Sequence, residues 1–227
     1  MATSCISDST CNLRASGLAF KGELPHGRYN QTFLTREELE KILRDSDVRA
    51  IDINKVLDAY EMAESVHEYQ KRPDKTPYFW HPSRVAKICI VEVNQLDPSV
   101  ICAALLHDAL EDSNVLTPEI ISINFGEYTS YLVQKLTKDI KATGALREIV
   151  EKDYVERLQR SSEDARMIKL ADRLDTFRCL EFNVKRNPIK YIMETQEHYF
   201  PLGKDSNNAR LQYLIRELQK EQNKFLG

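Results

Sequence analysis

The sequence predicts an all-α fold, with roughly ten helices packed as a single domain. Helix-breaking residues are few, since the 227 residues include only 7 glycines and 8 prolines. Apolar residues recur at helical spacing, and no segment shows the alternation of a half-buried strand. No internal repeat or low-complexity tract interrupts the pattern. We therefore expect one helical domain over residues 35–227, preceded by a partly irregular N-terminal arm over residues 1–34.

The first helices are marked by capping signals. The segment "TREELEKIL" begins with Thr35 and places Glu38 three residues later, which is the spacing of a capping box. We expect Asp52 to cap the second helix. The loop "QKRPDKTPYFW" then leads to a third helix, which should start at His81–Pro82 and run to about Val91.

The middle of the chain has the strongest helix signal. Asp97–Pro98 provides a capping side chain and a first-turn proline, and "SVICAALLHDALED" follows. The first half of that segment is apolar on nearly all sides, so we expect it to be buried. "TPEIISINFG" predicts a capped short helix that ends at Gly126. Further helices are predicted in "EYTSYLVQKLTK", "REIVEKDYVERLQRS", "SEDARMIKLADRLDTFRCLEF", "NPIKYIMETQEHYF" and "NARLQYLIRELQKEQNKF".

Composition indicates an ordinary soluble protein, and a net charge of −3 gives no reason to expect nucleic acid as the main partner. Five cysteines without a CxxC pair argue against a zinc–thiolate site. Three of them, Cys89, Cys102 and Cys179, lie in apolar helical stretches and predict core positions in a reducing, cytoplasmic setting. No apolar run approaches the ~18 residues of a membrane span. The N-terminus lacks a secretory signal, although its serine content leaves a transit peptide as an alternative.

The segment "HDALED" places four metal- or proton-handling side chains at the end of the predicted buried helix. His107 lies four residues before Glu111, and Asp108 lies four residues before Asp112. Residues at this spacing share one face of a helix, so the four side chains should crowd together. Because buried charge must be paired or bound to a cation, a divalent metal would meet the requirement.

Two more residues complete a predicted ligand set of two imidazoles and two carboxylates: His81, His107, Asp108 and Asp172. This mixture suits Mn²⁺, Fe²⁺, Co²⁺ or Zn²⁺ better than Ca²⁺. Each residue also has a plainer interpretation. A histidine at a helix start is often a cap or a surface residue, and Asp172 could pair with Lys169 or Arg173. The metal interpretation depends on the four residues occurring together on buried helices.

The order H…HD…D resembles the signature of the HD-domain metal phosphohydrolases. The segments "TPYFWHP", "AALLHDALEDS", "FGEYTSYLVQKLTK" and "KLADRLDTFRCL" are similar to the hydrolase domain of the RelA/SpoT-homologue proteins. In particular they resemble the small alarmone hydrolases of the metazoan Mesh1 type, over approximately Asp52 to Leu202. The resemblance implies an all-helical HD domain, one bound Mn²⁺, and removal of the 3′-pyrophosphate from the alarmone (p)ppGpp to give GDP or GTP and pyrophosphate.

The resemblance also assigns roles at the site. It implies that the four residues named above are the metal ligands. It places the family's Glu-Asp pair at Glu111 and Asp112. Glu111 would orient a water molecule or take its proton, and Asp112 would share this task or shape the hydrogen bonds around it.

The family's nucleotide-binding residues match less well. An Arg-Lys pair precedes the first histidine in the family, and here the aligned pair reads Gln70–Lys71, with Arg72 as a substitute one step away. An asparagine usually follows the last ligand by four places, and here that residue is Thr176, which offers one hydroxyl in place of an amide. Lys138 and Lys190 are further candidates for binding phosphate. Both departures concern the nucleoside, so guanosine is not the only base to consider.

The leading hypothesis is therefore metal-dependent hydrolysis of (p)ppGpp. A close alternative is the same chemistry on another nucleotide, such as (p)ppApp or the 2′-phosphate of NADPH. A third is a non-catalytic nucleotide-binding protein built on a decayed HD domain. A synthetase is set aside because 227 residues leave no room for a second nucleotidyl-transfer domain. We expect no nucleic-acid or membrane partner, and homo-oligomerisation is left open.

Overall fold

The computed structural model describes residues 28–138, 143, 145–183 and 185–226. Its α-helices are α1 (Arg36–Asp45), α2 (Ala50–Val66), α3 (Trp80–Lys87), α4 (Pro98–Leu106), α5 (Ala109–Asp112), α6 (Pro118–Phe125), α7 (Glu127–Leu136), α8 (Ala145–Gln159), α9 (Glu163–Arg178), α10 (Pro188–Glu194) and α11 (Ala209–Leu226). Short 3₁₀ or π-helical turns occur at Tyr29–Gln31, Ile88–Glu92, Leu180–Phe182, Thr195–Tyr199 and Phe200–Leu202. In these ranges the extended backbone pairs only at an isolated bridge between Lys71 and Pro77. The all-α prediction is confirmed.

Helix α4 lies at the centre of the core. Its residues from Val100 to Leu106 are all at most 1% exposed. Helix α2 packs against it, and so do α3 and α7, so it is covered on several sides. This explains why the segment is apolar all round rather than on one face. Helix α9 is buried in a similar way between α3 and α11, and it also contacts α4.

Most of the predicted caps are present. Thr35 Oγ1 accepts from the Glu38 N–H at 3.1 Å, and the Glu38 side chain accepts in return from the Thr35 N–H. Asp97 Oδ1 accepts from the Ser99 N–H at 2.8 Å. The prediction for Asp52 was wrong, because α2 begins at Ala50 and Asp52 lies in its first turn. An acid in the first turn still favours the helix, since the N-terminal end of the helix dipole is positive.

The end of the predicted N-terminal arm packs against the helices. Leu34 is completely buried, its N–H donates to Ser83 Oγ at 3.3 Å, and its carbonyl oxygen accepts from the Tyr60 hydroxyl at 3.0 Å. The Phe33 ring stacks on Trp80 with a centroid separation of 4.9 Å. Residues 1–27 of the predicted arm lie outside the described residues, so the arm as a whole stays a prediction.

Three cysteines are free and buried, as predicted for Cys89, Cys102 and Cys179. Cys5 and Cys11 lie outside the described residues. Among the described helices, none combines the length and the apolar character needed to cross a membrane.

Candidate metal centre and adjoining cavity

Four side chains from three parts of the chain converge beside a cavity. His81 comes from the first turn of α3, His107 and Asp108 from the junction between α4 and α5, and Asp172 from the middle of α9. One potential ligand atom each of His81, His107 and Asp108 lies within 4.8 Å of the others. Asp172 Oδ1 lies 3.1 Å from His81 Nε2. The four predicted metal ligands are therefore brought together.

The junction between α4 and α5 differs from the sequence prediction. We expected one helix through "HDALED", but α4 ends at Leu106 and a single-turn helix begins at Ala109. Asp108, at φ −97° and ψ −6°, stands between them, and its carbonyl oxygen accepts from the Glu111 N–H at 3.1 Å. The apolar pattern of α4 gives no sign of this break. It lets His107 and Asp108, which are adjacent in sequence, approach the same point.

The donor set fits a divalent cation. His107 Nδ1 lies 2.8 Å from the Ala104 carbonyl oxygen, so this nitrogen carries the proton and donates it. Its Nε2 atom is buried without a well-aligned hydrogen-bond partner, although Asp108 Oδ1 lies 3.3 Å away. A buried ring nitrogen that faces carboxylate oxygens is an arrangement in which a metal ion can take the place of a proton. Two imidazoles and two carboxylates match the preferences of Mn²⁺, Fe²⁺, Co²⁺ and Zn²⁺.

The electrostatics of the cluster favour positive charge. Burial alone would raise the pKa of Asp108, but His107 and His81 hold that pKa well below its ordinary value. Burial likewise opposes ionisation of Asp172, and Lys169 and His81 outweigh it, so its pKa is lowered. Burial disfavours a charged His107, yet Asp108 and Asp172 raise its pKa to about 9. The two carboxylates therefore stay ionised at neutral pH and attract a cation.

Asp172 also forms a salt bridge with Lys169, one of the two partners that the sequence suggested for it. Lys169 Nζ donates to Asp172 Oδ2 at 2.7 Å, while Oδ1 remains directed at His81. Burial would lower the pKa of Lys169, but Asp172 raises it well above its ordinary value. The salt bridge and the ligand role are thus compatible, because each uses a different oxygen of Asp172.

Glu111 lies on the wall of the cavity beside the cluster. Burial, followed by the charge of Asp108, raises its pKa to about 7. Its Oε1 atom accepts from the Lys138 backbone N–H at 2.5 Å, which fixes the direction of the carboxyl group. A carboxyl group with a pKa near neutrality can both accept and return a proton.

Asp112 is not among the residues that line the cavity. Its Oδ2 lies 3.6 Å from Nδ1 of His67, a buried histidine. Burial and then Asp108 raise the pKa of Asp112. The same His67 nitrogen lies 2.8 Å from Gln70 Oε1, so Gln70 and Asp112 share one neighbour. The structure therefore places Asp112 and Gln70 beside each other, outside the cavity lining.

The cavity has a volume of about 730 Å³, which is sufficient for a nucleotide. Its cationic lining residues are Lys71, Arg72, Lys138, Lys169, Arg173, Lys185, Arg186 and Lys190. Its aromatic lining residues are Tyr78, Tyr154, Tyr191 and Tyr199. Acids are also present, and they are concentrated at the metal cluster and at Glu151 and Glu194. The lining thus combines a carboxylate-rich cluster with a cationic and aromatic wall, which suits a phosphorylated ligand.

The predicted substrate-binding residues are found at the cavity, with one exception. Lys71, Arg72, Lys138, Thr176 and Lys190 all line it, and Gln70 does not. Arg72 folds inward, with Nη1 3.5 Å from Asp175 Oδ2. The side chain of Lys138 forms a salt bridge with Glu151.

Sequence reasoning missed several lining residues. Lys169 and Arg173 are the clearest, because with Asp172 and Thr176 they follow the i, i+3, i+4, i+7 spacing of one helix face. That spacing could have identified them. The Arg173 guanidinium lies 3.6 Å from the Tyr199 ring centroid and pairs with Glu194. Arg186, in the turn before α10, and Tyr191, within α10, also line the cavity, and neither shares a helix with a predicted metal ligand.

Comparison with known proteins agrees with this geometry. A family model described as "HD domain" matches residues 59–206. The guanosine-3′,5′-bis(diphosphate) 3′-pyrophosphohydrolase of Aquifex aeolicus is 38% identical over 171 residues, covering 74% of this chain and 23% of its own length. The chain thus spans about a quarter of that protein. The mouse guanosine-3′,5′-bis(diphosphate) 3′-pyrophosphohydrolase MESH1 is 32% identical over 174 residues, covering 73% of this chain and 93% of its own.

Among solved structures, one described as a metazoan ortholog of SpoT that hydrolyzes ppGpp and plays a role in starvation responses has a TM-score of 0.63. It is 29% identical and covers 73% of this chain and 94% of its own. The segment that the HD domain model matches includes all four predicted metal ligands. From the helical architecture, the H…HD…D cluster and the extent of these matches, we conclude that the chain belongs to the HD domain family.

Proposed function

We propose that this chain is a metal-dependent pyrophosphohydrolase that removes the 3′-pyrophosphate from (p)ppGpp, releasing GDP or GTP and pyrophosphate. The observation that carries the proposal is the convergence of His81, His107, Asp108 and Asp172 at one end of a cavity with a cationic wall. The names of the Aquifex and mouse relatives, and the description of the similar solved structure, support the substrate.

The four clustered residues would hold one divalent ion, which we propose to be Mn²⁺. When bound, such an ion polarises a phosphoryl oxygen and lowers the pKa of a water molecule from 15.7 towards about 7. Binding through Nε2 of both histidines fits the hydrogen bonds that their Nδ1 atoms already make. The carboxylates of Asp108 and Asp172 supply the negative charge that holds the ion.

In this proposal Glu111 accepts and returns the proton of the attacking water. The water oxygen forms a bond to the phosphorus that carries the 3′-oxygen, and the bond between that phosphorus and the 3′-oxygen breaks. The proton leaves the water for the Glu111 carboxylate and is returned to the 3′-oxygen of the leaving nucleotide. The backbone N–H of Lys138 keeps the Glu111 carboxyl group oriented during both transfers. Asp112, next to His67, shapes the hydrogen bonds behind Glu111.

Lys169 and Arg173 lie on the same face of α9 as the ligand Asp172, so they border both the metal cluster and the cationic wall. With Lys138 and Lys190 they offer donors for the phosphate oxygens of the substrate. Lys71, Arg72 and Thr176 lie on the side we assign to the nucleoside. Such a site suits a single nucleotide better than a nucleic acid, in keeping with the net charge of −3. The three free buried thiols support a cytoplasmic setting.

The test is an incubation of the purified chain with ppGpp and Mn²⁺, followed by separation of nucleotides by anion exchange. We expect GDP and pyrophosphate in equal amounts, and no products when EDTA replaces Mn²⁺. The absence of turnover at micromolar enzyme with Mn²⁺ would contradict the proposal.

A second candidate is the same metal chemistry on another nucleotide, such as (p)ppApp or the 2′-phosphate of NADPH. It is favoured by one observation: Gln70, which stands where the family has arginine, faces His67 and does not line the cavity. Initial rates with ppGpp, ppApp and NADPH under identical conditions decide between the candidates. A clear preference for ppGpp would remove the second.

A further inference from the structure

His81 is held at both of its ring nitrogens by a single helix. Asp172 and Asp175 lie three residues apart on α9 and so share one face. Asp172 Oδ1 is 3.1 Å from Nε2 of His81, and Asp175 Oδ2 is 2.6 Å from Nδ1. Asp175 is completely buried and does not line the cavity, so it has no direct route to a substrate.

We propose that Asp175 is a positioning residue that fixes the tautomer and the orientation of His81 and thereby raises the affinity of the site for its metal. This inference rests on the proposed metal-dependent function. A carboxylate can only accept a hydrogen bond, so Nδ1 of His81 carries the proton in this contact. Nε2 then faces the carboxylates of Asp108 and Asp172, where a bound divalent cation would take the place of a proton. A partner of this kind, behind a ligating histidine, sets the ring and increases its basicity.

Asp175 is itself fixed from several directions. Arg84 donates to both of its oxygens, from Nε to Oδ1 at 2.6 Å and from Nη2 to Oδ2 at 3.2 Å. The Tyr29 hydroxyl donates to Oδ1 at 3.1 Å. Arg84 is 2% exposed, and its Nη1 donates to the Thr32 carbonyl oxygen at 2.8 Å. A carboxylate held by an arginine fork cannot rotate freely, so it transmits a defined direction to the imidazole.

The energetics favour a positioning role over a purely stabilising one. A buried Arg–Asp pair gains little net stability, because the desolvation of both charges offsets their attraction. Here the Arg84–Asp175 pair contacts His81, a proposed metal ligand. The fixed position of the pair therefore orients the imidazole ring.

His107 provides an internal comparison. Its Nδ1 donates to the backbone carbonyl oxygen of Ala104, which belongs to the same helix and cannot be removed by substitution. His81 depends instead on a side chain that arrives from α9. The orientation of His81 is therefore the part of the metal centre that a single substitution outside the ligands should disturb.

The test compares Mn²⁺ binding by the full chain and its Asp175→Asn variant, measured by calorimetry after removal of metal. We expect affinity to fall by about 10- to 100-fold, because the amide can turn its NH₂ group towards Nδ1 and favour the wrong tautomer. Activity should fall most at low Mn²⁺ and recover in large part when Mn²⁺ is saturating. A purely structural defect would lower the melting temperature without this dependence on metal concentration.

The matched control is Asp164→Asn on the same helix. Asp164 accepts from Gln95 Nε2 at 3.0 Å and from the Tyr128 hydroxyl at 2.7 Å, and it is not part of the cluster. This variant should bind Mn²⁺ within about twofold of wild type. If Asp175→Asn binds Mn²⁺ as tightly as this control, the positioning role is overturned while the proposed function stands. Failure of the wild-type chain itself to bind Mn²⁺ would overturn the proposed metal site.

A second measurement does not need the Asp175 variant. Wild-type protein with ¹⁵N-labelled histidine and bound Zn²⁺ reports the state of each ring by NMR, and loss of a signal set in His81→Gln assigns His81. We expect Nε2 of His81 to bind the metal and Nδ1 to carry a slowly exchanging proton. Metal coordination through Nδ1 would overturn the inference.

Discussion

The metal end of the cavity and the side assigned to the nucleoside are built in different ways. At the metal end, His81 and Asp172 are buried on helices, and a second partner fixes each of them. On the nucleoside side, Gln70 and Arg72 come from the loop before α3, and they turn towards His67 and Asp175. The comparison indicates that the proposed metal ligands are held by the packed core, while two of the residues assigned to the nucleoside are held by a loop.

The largest effect is expected at the metal end. Asp108→Ala removes a carboxylate that lies 3.3 Å from His107 Nε2 and 3.7 Å from His81 Nε2. We expect kcat/KM for ppGpp to fall on the order of 10³-fold or more, because the ion and the water that it activates are lost together. The measurement is steady-state release of pyrophosphate at saturating Mn²⁺. Activity within tenfold of wild type would show that the cluster is not the catalytic centre.

The next effect concerns Glu111. Glu111→Gln keeps the size of the side chain and an oxygen acceptor for the Lys138 N–H, but it cannot take a proton. We expect kcat to fall on the order of 10²-fold or more, with Mn²⁺ affinity nearly unchanged. Asp112→Asn is the matched comparison, since Asp112 faces His67 outside the cavity lining and should lose less. Equal losses in the two variants would contradict the separate roles.

The same Glu111 variant gives a test without catalysis. Burial raises the pKa of Glu111 from 4.5 to about 7, so the metal-free folded state binds this proton more tightly than the unfolded chain does. Its ionisation therefore costs no stability below the ordinary pKa and an increasing amount as pH rises through 4.5 to about 7. We expect the stability of metal-free Glu111→Gln relative to wild type to be greater at about pH 8 than near pH 4, by roughly 1–3 kcal/mol.

Urea unfolding in EDTA at the two pH values measures this difference. The informative quantity is the change between pH values, because any effect of the substitution on packing is common to both. A variant whose relative stability does not depend on pH would show that Glu111 has an ordinary pKa.

The smallest effect is expected on the nucleoside side. Thr176→Val keeps the shape of the side chain and removes its hydroxyl, the group that replaces the family's asparagine amide. We expect KM for ppGpp to rise by about two- to tenfold with little change in kcat, since one hydrogen bond contributes about 0.5–1.5 kcal/mol. The same variant tested with ppApp and NADPH shows whether Thr176 discriminates between bases. A large fall in kcat would instead indicate that Thr176 acts at the metal end and not in binding the nucleoside.

Much of the fold could be predicted from the sequence because its signals are local. The capping box at Thr35, the proline after Asp97 and the apolar run of α4 each specify a helix without reference to distant residues. The break after Leu106 could not be predicted, because the helical pattern continues through it. Asp52 was misplaced because a capping aspartate and a first-turn aspartate look alike in one sequence.

At the site, too, features with a local sequence signal could be predicted, and features that depend on residues distant in sequence could not. His81, His107, Asp108 and Asp172 could be proposed because buried acids and imidazoles require a common partner, and the structure brings them together. Asp175 could not be recognised, because its role depends on contacts with His81, Arg84 and Tyr29 that are 94, 91 and 146 residues away in sequence. The direction in which Gln70 points was likewise hidden, since a loop side chain is oriented by its neighbours in space.

The central claim is that the H…HD…D cluster binds one divalent ion and that this ion enables hydrolysis of ppGpp. The most direct test is a titration of Mn²⁺ into the metal-free chain, with bound metal and the initial rate of GDP and pyrophosphate release measured on the same samples. We predict that the rate rises in proportion to occupancy and levels off at one Mn²⁺ per chain. Turnover that persists in EDTA, or full occupancy without release of pyrophosphate, would contradict the claim.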